Sequence, residues 1–127
     1  MAHADIRIGT LAGIDKAPAY IKQILPHGFE SFELTGGWGV GEVDFARIAG
    51  EVRTIIEGKA TISSIGYYGN PLMKDEDAKH FGAYIDNVHR FGANVVCGFA
   101  GALDGQPVME SMPQFKKVWK DLVKRAE

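Results

Sequence analysis

The sequence is short of cysteine, of charge of one sign and of long hydrophobic runs. Cys97 is the single cysteine, so no internal disulfide can form, a usage that fits a reducing compartment. The 14 Lys and Arg stand against 16 Asp and Glu, for a formal charge of −2. No basic field collects phosphates, which argues against a nucleic-acid partner. No apolar run approaches the roughly 20 residues that cross a bilayer. The opening Met1-Ala2-His3-Ala4-Asp5-Ile6-Arg7 lacks the cationic segment and apolar stretch of an export signal. The expectation is a cytoplasmic protein with neither a membrane nor a nucleic-acid partner. What is present suits one globular domain over residues 1–127: 46% hydrophobic and 24% charged residues, with 16 glycines.

Hydrophobic periodicity divides the chain into four repeated units. Ile6, Ile8 and Thr10 alternate with Arg7 and Gly9, which predicts a strand over 6–10. Asp15 is placed to cap the helix that follows, with Pro18 in its first turn and Tyr20, Ile21, Ile24 and Leu25 along one side. Pro26-His27-Gly28 stops it. A second strand is expected over 29–34, then a glycine-rich loop from Gly36 to Gly41. Asp44 can cap a second helix whose Phe45, Ile48, Ala49, Val52, Ile55 and Ile56 recur at steps of three and four. That is the clearest amphipathic signal in the chain, and Gly58 is placed as its left-handed terminal residue. A third strand over 61–65 leads into Gly66-Tyr67-Tyr68-Gly69-Asn70-Pro71. Asp75 or Asp77 is placed to cap the third helix, with Phe81, Tyr84, Ile85 and Val88 on one side and Gly92 at its end. Residues 93–99 predict a fourth strand. Phe115, Val118, Trp119, Leu122, Val123 and Ala126 mark a fourth helix after Ser111-Met112-Pro113.

This alternation implies an α/β protein with parallel strands joined by right-handed crossovers. Connections before the strands are short and those after them long and polar. That asymmetry sets elaborated loops at the C-terminal strand ends, where α/β proteins bind ligands. Two architectures compete: an open doubly wound sheet, and four βα units forming half of a (β/α)8 TIM barrel. Central strands of an open parallel sheet are covered on both faces and nearly all apolar. Here Ser31 and Glu33 share one face of the second strand and Ser63 interrupts the third. A complete barrel takes about 250 residues, and 127 is close to half of that. The half-barrel is the preferred reading. Its first and fourth strands would be open edges, and two copies about a two-fold axis would join the fourth strand of each to the first of the other. A homodimer or other homo-oligomer is therefore expected.

Several segments resemble the N-terminal half of the sugar phosphate isomerase/epimerase family, a group of xylose isomerase-like TIM barrels. They are Ile-Arg-Ile-Gly from Ile6, Phe-Glu-Ser-Phe-Glu-Leu from Phe29, Gly-Tyr-Tyr-Gly-Asn-Pro-Leu from Gly66, Gly-Ala-Asn-Val-Val-Cys-Gly-Phe-Ala-Gly from Gly92 and Phe-Lys-Lys-Val-Trp from Phe115. The most specific piece runs from Tyr68 to Leu72. The resemblance covers nearly the whole chain but only the first half of the family's barrel. It implies an isomerase scaffold whose full-length members hold a divalent metal with Glu, Asp and His from later strands and use paired glutamates there for proton transfer. Those strands lie beyond the four units read here. The resemblance thus implies a half-barrel with a sugar or sugar phosphate ligand, no metal ligands or cofactor of its own, and little or no isomerase activity alone. Two rivals are a non-catalytic half-barrel scaffold, natural or engineered, whose property is self-association, and a metal-free lyase or isomerase using a Glu33 pair across a dimer.

No catalytic or metal-ligating residue is assigned. The four histidines, His3, His27, His80 and His89, are spread too widely to converge as the three ligands of a catalytic metal. Glu33 is the best candidate for substrate binding, near a strand end and pointing inward by alternation; the alternative is a carboxylate bonded to neighbouring loops. Trp38, Tyr67, Tyr68 and Phe99 follow strands and could form an apolar wall against a sugar ring, or pack under helices. Asn70 precedes Pro71, so its backbone is extended; its amide could face the site, or the pair could simply shape the turn. The candidate substrate-binding residues are therefore Glu33, Trp38, Tyr68, Asn70 and Phe99. Cys97 reads as packing. The loop from Gly36 to Gly41 matches no phosphate-binding fingerprint and reads as a flexible hinge. The basic residues from Lys116 to Arg125 read as a solvated helix face.

Overall fold

Strand pairing runs strictly in chain order. In the computed structural model, which describes residues 6–127, β1 (Gly9–Gly13), β2 (Ser31–Gly37), β3 (Thr61–Tyr68) and β4 (Val96–Gly98) form one sheet in the order β1-β2-β3-β4, and every pairing is parallel. The helices α1 (Ala17–Ile24), α2 (Phe45–Ile56), α3 (Asp75–Asn87) and α4 (Met112–Ala126) alternate with them. Doubly wound sheets reverse their order at a switch point, and the described strands have no reversal. When every right-handed crossover steps the same way, the helices collect on one face. Here α1 packs on α2, and α3 on α4. The arrangement fits a half-barrel. No helix is long and apolar enough to cross a membrane among the described residues.

The core fills the space between this helix layer and one face of the sheet. Ala12, Phe32, Leu34, Ile62 and Ile65 from the strands meet Ile21, Ile48, Val52, Phe81 and Leu122 from the helices. Each large side chain so buried stabilises the fold by roughly 1.5–3 kcal/mol relative to exposure. On the other face Ser31, Glu33 and Thr35 are only half-buried, and Leu11, opposite Glu33 in the register, is 59% exposed.

Local signals explain both ends of α2. Asp44 Oδ1 accepts the Arg47 N–H at 3.0 Å and caps α2, and Gly58 takes a left-handed φ of 68° just beyond it. Asp15 does not cap α1: it falls within a short 3-10 turn, Ile14–Lys16, that precedes the helix. Neither Asp75 nor Asp77 caps α3, which begins after Lys74 with both acids inside its first turn. There they face the positive end of the helix dipole. The basic run on α4 is not wholly solvated, because Arg125 forms a two-pronged pair with Asp86 of α3 at 2.5 and 2.6 Å and lies against Gly82.

The strands differ from the expected spans at their ends. β1 begins at Gly9, leaving Ile6 and Ile8 65% and 66% exposed, because the regular ladder with β2 starts at the pair Gly9–Ser31. β2 likewise starts at Ser31 and runs on through Gly36 and Gly37, which the sequence suggests as loop. Gly36 is required there: a Cβ would fall 1.7 Å from the Tyr84 hydroxyl. Within β3, Ser63 is an extra residue: Phe32 pairs with Ile62 but Glu33 with Ser64. Such a bulge re-aims everything after it. Beyond it Ser64, Gly66 and Tyr68 share the face of Glu33, while Ile65 and Tyr67 face the helices.

Candidate functional site

The half-buried face of the sheet carries Glu33 and Ser64 in mid-strand, not near a strand end as expected for Glu33, because β2 runs on to Gly37. Tyr68 closes β3 at its C-terminal end. Glu33 Oε2 accepts the Ser64 hydroxyl at 2.7 Å, and Glu33 Oε1 accepts the Tyr68 hydroxyl at 2.5 Å. Gly66 lies beneath them; a Cβ there would sit 2.8 Å from Oε1 and 2.7 Å from the Tyr68 ring. The bond to Glu33, then burial and the carboxylate charge push the Tyr68 phenol up to about 12. Tyr68 therefore stays a donor through the neutral range. A carboxylate with two protein donors keeps further lone pairs for a ligand.

An aromatic wall continues from this carboxylate. Tyr68 meets Phe99 edge-on with ring centroids 5.1 Å apart, and Phe99 meets Trp38 at 6.0 Å. Trp38 is 77% and Phe99 48% exposed. Of the residues expected to bind substrate, the structure thus brings Glu33, Tyr68, Phe99 and Trp38 together.

Asn70 is spent elsewhere. Its Nδ2 donates to the Ala102 carbonyl at 2.8 Å, and its Oδ1 accepts N–H groups from Ala102 and Leu72 at 3.2 and 3.3 Å. The amide clamps the loop after β4, which is also held by Trp119 Nε1 on the Ala100 carbonyl and by Ser111 Oγ on the Leu103 N–H.

Tyr67 does not join the wall, because the bulge turns it to the helix face. It is buried there, donating to Asp77 Oδ1 at 2.7 Å. His80 Nδ1 lies 3.3 Å from the Tyr67 hydroxyl oxygen, and since the phenol proton goes to Asp77, the ring nitrogen is assigned as the donor to that oxygen. Asp77 Oδ2 accepts the Asn70 N–H at 2.8 Å. Burial pushes the Asp77 carboxyl up, but these bonds and the charges of Lys74 and His80 outweigh it and lower it overall. Burial, then the bond to Asp77, holds the Tyr67 phenol well above its ordinary range. Nothing local in the sequence announces this network, since its members come from a strand and a helix and meet only through packing.

Around Glu33 the structure offers hydroxyls and aromatic rings. No three His, Cys, Asp or Glu side chains converge among the described residues, so the described side chains do not fit the divalent metal that full-length members of the resembled family hold. Cys97 is half-buried beside Gly66 in the register. His27 and His89 are exposed, and His3 lies outside the described residues. The glycine loop begins with a turn in which the Val40 N–H donates to the Gly37 carbonyl at 2.9 Å. No family model, curated protein or solved structure matches the chain.

Proposed function

We propose that this chain is a half-barrel that holds a sugar or sugar phosphate at its rim and does not isomerise it alone. The observation that carries this reading is the Glu33 carboxylate, braced by Ser64 and Tyr68 beside the exposed Trp38–Phe99 pair. Sugars present hydroxyl donors on their edges and C–H groups on their faces; a carboxylate takes the first and aromatic rings the second. The resemblance to the N-terminal half of sugar phosphate isomerases supports the same ligand class. In that family a metal polarises the reacting carbonyl, a contribution of several kcal/mol, and about 1.4 kcal/mol already changes a rate tenfold. With no set of ligands for that ion among the described residues, the four units are expected to bind without turnover.

An amide NMR titration with a ketohexose and its phosphate tests this. The expected result is saturable shifts at Glu33, Tyr68 and Phe99 and at the Trp38 indole, with no epimer formed when divalent metal is added. Shifts absent from these residues would remove the binding reading, and metal-dependent turnover would remove the inactive one.

The exposed Leu11 in the middle of β1 favours a second, compatible property. β1 and β4 each pair on one side only, and parallel edges of this kind complement each other in two copies about a two-fold axis. Closure in this way gives an eight-stranded homodimer with both Glu33 sites at one mouth.

A further inference from the structure

A cavity lies on the helix face, across the sheet from Glu33 and the aromatic wall. It offers about 230 Å³, open on one side, between the loop that enters α2 and the middle turns of α3. Phe45, Tyr67, Tyr84 and the imidazole of His80 supply its aromatic surfaces. The Phe45 and Tyr84 rings meet edge-on at 5.1 Å, and those of Tyr67 and Tyr84 lie 5.3 Å apart. Both tyrosines are at most 4% exposed, so only small edges of these rings reach the cavity, and the half-buried Phe45 offers it the larger aromatic surface.

The two lips belong to different elements and carry opposite charges. Glu42 stands on the loop and Lys79 on α3, both exposed. Among the described residues neither enters an ion pair. A simple anion would meet Lys79 but also the repulsion of Glu42, and a simple cation would meet the reverse. A zwitterion answers both. The volume falls below the roughly 300–1,000 Å³ of pockets for drug-sized ligands, which limits the apolar part to one ring. Aromatic edges and faces at these spacings favour a ring over an alkyl chain.

We propose that this cavity is a binding site for a free α-amino acid with an aromatic side chain. Its carboxylate pairs with Lys79, its ammonium group with Glu42, and its ring lies against the packed cluster of Phe45, Tyr67 and Tyr84. The site is separate from the rim, because Tyr67 and Tyr68 point to opposite faces of β3.

The test is an amide NMR titration of the whole chain with L-phenylalanine, 3-phenylpropionate and phenethylamine. L-Phenylalanine is expected to give saturable shifts centred on Glu42, Phe45, Lys79 and Tyr84, with a millimolar Kd. The two singly charged probes bind about threefold to fivefold more weakly, the scale of one exposed ion pair. Glu42→Gln and Lys79→Met each weaken L-phenylalanine by a similar factor without changing thermal unfolding. Absence of saturation by L-phenylalanine, equal binding of all three probes, indifference to both substitutions, or shifts confined to Trp38, Tyr68 and Phe99 would each overturn the proposal.

Discussion

Tyr84 carries a buried hydroxyl with no partner among the described residues, pressed against Gly36 of β2. An unsatisfied buried hydroxyl costs free energy that a phenyl ring does not incur. Tyr84→Phe is therefore expected to raise stability by about 1 kcal/mol in urea unfolding; a lower midpoint would show that the hydroxyl has a partner in solution. The second residue-scale prediction concerns Glu33 and Tyr68. Folding raises the phenol from 10.0 to about 12, so its contribution to stability is full below pH 10 and is lost as pH rises towards 12. Glu33→Gln should bring the phenol back towards 10, read by phenolate absorbance; an unmoved titration would mean that burial alone sets it. Alternation in the sequence places Glu33 opposite Phe32 and Leu34, and that much is readable locally. The fates of Tyr67 and Tyr68 are not, because the single extra residue Ser63 inverts which face each one takes.

At the scale of elements, α2 is the most readable part of the chain. Its cap Asp44, its stripe from Ile48 to Ile56 and its stop at Gly58 all act within a turn of their own position. The start of β1 is less readable because its partner decides it: Ile6 and Ile8 have strand chemistry, but the ladder opens at Gly9. The first acids of α3 fail as caps for a similar reason, since Asp77 is drawn to Tyr67 and the Asn70 N–H. Asn70 was legible as a turn former, but its hold on Ala102, 32 residues away, was not. Asn70→Ala should release the loop after β4, giving faster amide exchange at Ala102 and Leu103 with little change in α2. Unchanged exchange there would mean that Trp119 and Ser111 suffice to hold it.

For the molecule as a whole, the four-fold alternation was written in the periodicity, and the order of the strands follows from right-handed crossovers that never reverse. The half-buried face and the β1 and β4 edges are not legible locally, because they are surfaces formed only once all four units are assembled. Light scattering is expected to give twice the chain mass of 13.8 kDa, and Leu11→Lys should return the mass of one chain while leaving the helical circular dichroism intact. A single-chain mass for the unaltered protein would remove the two-fold closure without touching the sugar reading.

The unbroken strand order has one more consequence, for how the protein is made. Every strand docks beside the one translated just before it, so no segment leaving the ribosome must wait for a distant partner. Each new pairing, Gly9 with Ser31, Ser31 with Thr61 and Ile65 with Val96, closes one βα unit and never spans two. Loop-closure entropy grows only slowly with length, and the nascent chain can assemble stave by stave in the order of synthesis.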